Sequence, residues 1–155
     1  MRFVYESLIK APAEEVFAFH TQPDALTKLM PPWEHARVIQ QADISVVGSR
    51  TIVEVKILRL FTITWIAQHT IFEPLRAFED IQLRGPFRRW RHRHVITPHA
   101  QGAVLRDEID YEPPLGPLGR LLAPHLIQQR LIKLFEYRHD VTRKFCEGKD
   151  HVITY

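Results

Sequence analysis

Between residues 35 and 112 the chain is cut into short runs by turn residues, and within each run polar and apolar side chains alternate. HARVIQQ (35–41) and RTIVEVKIL (50–58) flank Val47-Gly48-Ser49, and FTITWIAQHTIF (61–72) stops at Glu73-Pro74. AFEDIQLR (77–84) stops at Gly85-Pro86, RRWRHRHVIT (88–97) at Pro98, and AVLRDEIDY (103–111) at Pro113-Pro114. Alternation places successive side chains on opposite sides of a pleated strand, and short glycine- or proline-marked links join neighbours that run in opposite directions. The pattern predicts a six-strand antiparallel meander. RFVYESLIK (2–10), with Phe3, Tyr5, Ser7 and Ile9 on one side, adds a seventh strand at the start.

A sheet with one apolar face has to be covered. Pro12 opens a first short helix, with Glu14 and Glu15 in its first turn and Val16, Phe17 and Phe19 following; it stops near Thr21-Gln22-Pro23. A second short helix, Asp24 to Met30, is closed by Pro31-Pro32. After PPLGPLG the chain reads as helix for roughly 28 residues, about 42 Å at 1.5 Å each. Leu121, Ile127, Leu131, Leu134, Phe135, Val141 and Phe145 form its apolar stripe, with Arg130, Lys133, Glu136, Asp140 and Lys144 on the other side. Pro124 is expected to kink or restart this helix after one turn. Only this helix is long enough to cover the sheet. The expected architecture is α+β: a seven-stranded antiparallel sheet curved around a long C-terminal helix, with two short helices between strands 1 and 2.

At 155 residues the chain suits one hydrophobic core, and residues 1–148 read as a single domain followed by a C-terminal tail, 149–155. Cys146 is the only cysteine, which excludes an intrachain disulfide and a multi-cysteine metal site. It falls at the frayed end of the last helix, with nothing nearby to make it a nucleophile. No apolar run approaches the roughly 18 residues of a membrane-spanning helix. The N-terminus lacks the apolar centre of a signal peptide, so a cytoplasmic location is expected. The formal charge of +3 is too small to demand a nucleic-acid partner, and membrane contact is expected to be transient at most.

The opening SLIKAPAEEVFAFHTQPDAL is similar to the segment that begins many bacterial members of the START-like helix-grip (SRPBCC) superfamily: apolar strand, Ala-Pro, acidic pair, Val-Phe, then a second short helix. WIAQHTIFEPLRAFEDIQLRGPFRRWRHRH, followed by LRDEIDYEPPLGPLG, resembles an uncharacterised bacterial branch of that group, and the resemblance covers nearly the whole chain. The superfamily includes polyketide cyclases and dehydrases, coenzyme Q-binding proteins and plant pathogenesis-related ligand carriers. The resemblance implies a helix-grip fold with a small hydrophobic ligand held between sheet and helix. Because such folds host carriers and enzymes alike, the activity has to be read from the site.

Period-two phasing locates that site. Ile63, Trp65, Ala67, His69 and Ile71 share a face of the fourth strand. Trp90, His92, His94 and Ile96 share a face of the sixth, opposite Arg89, Arg91 and Arg93. In the last strand Leu105, Asp107, Ile109 and Tyr111 line up. Tryptophans and aliphatics mark the inner faces, which places His69, His92, His94 and Asp107 inward and the three arginines outward, across from carboxylates such as Glu79, Glu108 or Asp110. In the fifth strand either Phe78, Asp80 and Gln82 or Glu79, Ile81 and Leu83 form the inner set. A three-residue turn at Gly85-Pro86-Phe87 puts Asp80 across from His92 and Phe78 across from His94, and a four-residue turn after Phe72 puts His69 beside Asp80. A six-residue loop between Ile96 and Ala103 then puts Asp107 opposite His92, completing a row His69, Asp80, His92, Asp107 across four strands. One slip of register destroys it.

The expected function is reversible binding of a lipid, quinone or polyketide-like molecule. Ile63, Trp65, Trp90, Leu105, Ile109 and Tyr111 form the wall, Leu131 and Phe135 the cover, and His69, Asp80, His92, His94 and Asp107 the polar end. The row also reads as a purely structural network, in which carboxylates fix imidazole tautomers. As an enzyme, the protein would use His92 with Asp80 or Asp107 in cyclase, aromatase or dehydratase chemistry. As an interaction module it would dock through the arginine face. His92 and His94 have a chelating spacing that Asp80 or Asp107 would complete; His69, about 9.6 Å from His92 at two strand spacings, is too far to join. No cofactor or metal is expected. Arg138 falls beside the apolar stripe of the long helix, where it reaches an inward carboxylate or the rim. Trp33 is expected either over the mouth of the cup or packed in the core.

Overall fold

The computed structural model describes residues 1–57, 61–114 and 124–148. β1 (Arg2–Ile9) leads into α1 (Ala13–His20) and α2 (Ala25–Lys28). There follow β2 (Ala36–Gln40), β3 (Arg50–Ile57), β4 (Phe61–Glu73), β5 (Ala77–Arg84), β6 (Arg89–His99), β7 (Gly102–Glu112) and the long helix α3 (Pro124–Glu147). All seven strands join one antiparallel sheet in the order β1-β7-β6-β5-β4-β3-β2, so the first strand closes against the last. This is the helix-grip arrangement. The end of the third predicted strand (Leu58), the first turn of the predicted long helix with Leu121, and the tail 149–155 lie outside the described residues. Among the described residues no helix is long and apolar enough to cross a membrane.

Pro12 caps α1 rather than opening it: its carbonyl accepts from the amides of Glu15 and Val16 at 3.0 and 3.2 Å. The helix buries Ala13, Val16, Phe17, Phe19 and His20. Pro124 is the first residue of α3 as described, a position where its missing N–H costs nothing.

The interior is two apolar clusters separated by a polar layer. Ile9, Val16, Phe17, Phe19, Phe78, Ile96, Leu105 and Cys146 pack at the α1 end. Phe3, Trp90, Ile109, Tyr111, Leu131 and Phe135 pack at the other. Along β7 the inner face runs Leu105, Asp107, Ile109; along β6 it runs Trp90, His92, His94, Ile96; along α3, Phe135, His139, Cys146. Three elements thus change from apolar to polar and back at the same level. Burying a large apolar side chain contributes ~1.5–3 kcal/mol, so the clusters hold the polar layer in place from both sides. Cys146, expected at a frayed helix end, is instead 1% exposed within the first cluster.

Two registers differ from expectation. The β6–β7 ladder runs on past Pro98↔Ala103 to His99↔Gly102, leaving a two-residue link, Ala100-Gln101, in place of the six-residue loop. Asp107 therefore pairs with His94, and His92 with Ile109. Pro98 does not end the strand because β5 begins at Ala77, opposite Val95; beyond that point β6 has no β5 neighbour, and an edge tolerates proline. Gly102, at φ 136°, makes the tight link possible: a Cβ there would lie 2.1 Å from the Ile9 carbonyl oxygen. In β4 the pairing shifts between His69 and Ile71. The bulge reverses the phase of the strand, so Phe72 rather than Ile71 turns inward, 5.7 Å from the Phe17 ring.

On the outer face Arg91 pairs with Glu79 and Asp110 at 2.8 and 3.3 Å, and Arg106 with Glu6 and Glu108 at 2.9 and 2.7 Å. Arg93 pairs with Glu73 at 3.1 Å. Arg89 is exposed opposite Glu112.

Candidate functional site

A cavity of about 400 Å³ separates the sheet from α3, within the range of pockets that take small organic ligands. Val53, Val55, Trp65, Ala67 and Trp90 line it from the sheet, Ile127, Leu131, Leu134 and Phe135 from the helix, and Leu29, Met30 and Ile44 from the intervening segments. The Trp65 and Trp90 rings meet edge to face at 5.3 Å. Glu34 and Arg130 also line the cavity, joined by two contacts of 3.2 and 2.7 Å. Trp33 is 40% exposed and packs outside the helix, 5.1 Å from the Tyr137 ring and 4.4 Å from Lys133 Nζ.

The polar end gathers His20, His69, Asp80, His92, His94, Asp107, Arg138 and His139. Asp107 is its anchor. Its Oδ1 accepts from His92 Nε2 at 2.8 Å and its Oδ2 from His139 Nε2 at 2.6 Å. His94 Nδ1 lies 2.6 Å from Oδ1, close but out of line for a hydrogen bond. Burial alone would raise the Asp107 carboxyl, yet His94, His139 and His92 outweigh it and hold the group well below the usual carboxylate range. The hydroxyl of Ser7 donates to His139 Nδ1 at 2.7 Å, which fixes the Nε2–H tautomer that Asp107 needs. His20 donates from Nδ1 to the Val16 carbonyl at 2.8 Å, and burial, with His94 adding to it, lowers its pKa to about 4.

The other half of the layer is not satisfied in this way. His69 is 6% exposed, and among the described residues neither of its ring nitrogens has a hydrogen-bond partner. The buried Nε of Arg138 and the buried amide oxygen of Gln41 are in the same position. Burial pushes His69, His94 and Arg138 down and Asp80 up, all toward their neutral forms. Arg138 extends over the Phe135 ring at 5.4 Å and forms no ion pair with Asp80 or Asp107, which both act on it through space. Unpaired buried polar groups cost ~1–3 kcal/mol each. Here they converge on a cavity.

The structure brings together Trp65, His69, Asp80, Trp90, His92, His94, Asp107, Leu131 and Phe135 on that cavity. The inner set of β5 is Phe78 and Asp80, and Asp80↔His92 and Phe78↔His94 pair as the turn at Gly85-Pro86-Phe87 predicts. His69↔Asp80 also pairs as expected, but by another route: the β4–β5 ladder closes at Glu73↔Ala77 with a three-residue link instead of four, and the register shift between His69 and Ile71 restores the pair. Four residues expected in the wall sit elsewhere. Leu105 belongs to the first apolar cluster, Ile109 and Tyr111 to the second, and Ile63 pairs with Val55 without reaching the cavity surface. His139 and His20 are absent from the predicted set. The signal for His139 is its place four residues after Phe135 and eight after Leu131, on the inward side of α3.

The profile of the family described as polyketide cyclase / dehydrase and lipid transport matches residues 9–135. No curated protein matches the sequence. Solved structures show the same fold at low identity. TTHA0849 from Thermus thermophilus is 16% identical, with a TM-score of 0.74, covering 97% of this chain and 99% of that one. The di-domain ARO/CYC StfQ from the steffimycin biosynthetic pathway is 12% identical, with a TM-score of 0.75, over 96% of this chain and 51% of that one. Ara h 8.0201 is 10% identical, with a TM-score of 0.70, over 96% and 99%.

Proposed function

The chain belongs to the polyketide cyclase / dehydrase and lipid transport family, and from that premise we propose that it reversibly binds one small apolar or amphipathic molecule between sheet and helix. Residues 1–148 act as a single ligand-binding domain in the cytoplasm, without a cofactor for this role. The observation that carries the reading is the two-ended cavity: an aromatic and aliphatic wall leading to buried polar groups that the protein itself leaves unpartnered. Trp65, Trp90, Leu131 and Phe135 contact the apolar body, with Leu105, Ile109 and Tyr111 supporting the wall from behind. His69, Asp80, His92 and His94 meet the polar end of the ligand, joined by Arg138. A lipid, a quinone or a polyketide-like ring has both parts. Native mass spectrometry of protein isolated from its own host tests this. The expected spectrum carries a small-molecule adduct that denaturation releases; protein found only at the bare chain mass overturns the reading.

One observation favours a second reading, a cyclase- or dehydratase-type enzyme. His92 is backed by Asp107 at 2.8 Å and lines the cavity, the arrangement of an oriented general base. Incubation of the captured ligand separates the two readings. An enzyme returns it chemically altered, and His92→Ala returns it unchanged.

A further inference from the structure

Asp80, His92 and His94 each place a ligand-capable atom at the polar end of the cavity, all within 4.8 Å of one another. The state of His92 is set from behind. Nε2 donates to Asp107, so the neutral ring carries its lone pair on Nδ1, and Nδ1 faces Asp80 Oδ1 at 3.9 Å. That separation is too long for a hydrogen bond, so a proton on either group does not bridge it. It lies within the span of two zinc–ligand bonds of about 2.0–2.1 Å each. Two acceptors thus oppose each other across a gap the size of a metal ion.

The donor chemistry agrees. Two imidazoles and a carboxylate are a donor set that zinc-class ions accept. An imidazole that gives its second N–H to a carboxylate, as His92 gives to Asp107, is the usual outer support of a metal-bound histidine. The His94 ring is fixed by stacking on Phe78, with centroids 4.1 Å apart and planes 20° apart. We propose that Asp80, His92 and His94 bind a divalent transition-metal ion of the zinc class, that Asp107 positions His92 for it, and that the remaining coordination positions open into the cavity. His69 stands next in the row, paired with Asp80, outside the cluster of three. The inference does not require the apolar ligand.

The test is a cobalt(II) titration of the untagged full chain after chelator treatment, read by visible absorption, followed by zinc competition. The expected result is one saturable equivalent that zinc displaces. Affinity should fall at least tenfold in Asp80→Asn and in His92→Gln, fall ~10–100-fold in Asp107→Asn, and stay unchanged in His125→Gln on the exposed helix surface. The wild-type titration decides even if a variant fails to fold: folded protein with no saturable cobalt spectrum overturns the site. So does cobalt binding that survives in folded Asp80→Asn and His92→Gln, or that disappears in His125→Gln.

Discussion

The Asp107 carboxylate on β7 and His139 Nε2 on α3 meet at 2.6 Å, a buried polar bond that, with Ser7 on the other ring nitrogen, crosses a helix–sheet interface packed with rings such as Phe3 and Phe135, 5.6 Å apart. Apolar packing tells a helix to lie on a sheet but says little about where along the sheet it stops. A charged bond whose partners are 2% and 1% exposed allows one position. The polar layer therefore sets the height of α3 over the sheet, and with it the width of the cavity.

Asp107→Asn leaves the shape of this centre and removes its charge, stranding imidazole N–H groups in the interior. The expected cost is ~2–4 kcal/mol in urea unfolding. Asp110→Asn on the outer face, where Arg91 is partly exposed, should cost about 1 kcal/mol or less. Equal losses at the two positions would contradict the anchoring role.

Acid should loosen the fold through its buried histidines, with Asp80, whose carboxyl burial pushes up, acting against them. His20 is held down to about 4 against an ordinary value of 6.5. Between those values the unfolded chain takes up a proton that the folded chain refuses. Its contribution to stability is fully present above pH 6.5 and falls toward pH 4, at up to ~1.4 kcal/mol per unit. His69 and His94, also lowered by burial, act in the same direction. The lowered Asp107 loses its contribution at still lower pH, below the ordinary carboxylate range. Unfolding free energies from pH 7 to 4.5 should fall less steeply in His20→Gln than in the wild type.

Among the described residues, the two glycines at positive φ separate backbone strain from collision. Gly48, at φ 91°, has only Gln68 Nε2 near its missing Cβ, at 3.9 Å, whereas at Gly102 three backbone atoms lie within 2.9 Å. Gly48→Ala should cost about 1 kcal/mol and Gly102→Ala about 2 kcal/mol or more, read as a lower melting temperature. A Gly102→Ala protein as stable as wild type would mean that the β6–β7 link is looser than described.

Glu34 and Arg130 join the loop before β2 to α3 at the cavity. Arg130→Gln should speed release of a bound probe several-fold in stopped flow while changing stability by less than about 1 kcal/mol. Unchanged release rates would remove this contact from the path of the ligand.

The fold is legible in the sequence because two periodicities, two for the strands and 3.6 for the helix, are strong wherever one face is buried and the other is not. The polar row is legible for the same reason: Trp90 and Ile96 fix the phase of His92 and His94 between them. What escapes depends on features without a periodic signature. Pro98 carries no mark that its strand has lost a neighbour, so the pattern ends the ladder too early and sets Asp107 against the wrong histidine. The bulge after His69 is a change of phase that Ile71 and Phe72, both apolar, cannot reveal. His139 is hidden by chemistry rather than spacing, because a helix stripe is recognised by its apolar residues and a polar one on it carries no such mark. Leu105 and Ile109 share a face with Asp107, but alternation reports the face, not whether a neighbour or an empty space lies above it.

Binding of an apolar body in the space between sheet and α3 is tested most directly by titration with N-phenyl-1-naphthylamine. This uncharged fluorophore should bind the wild type saturably, one to one. Ala67→Trp, which fills the cavity from its sheet wall, should keep the circular dichroism of the wild type and lose the binding at least tenfold. A folded wild type with no saturable fluorescence, or an Ala67→Trp protein that binds equally well, would contradict the account.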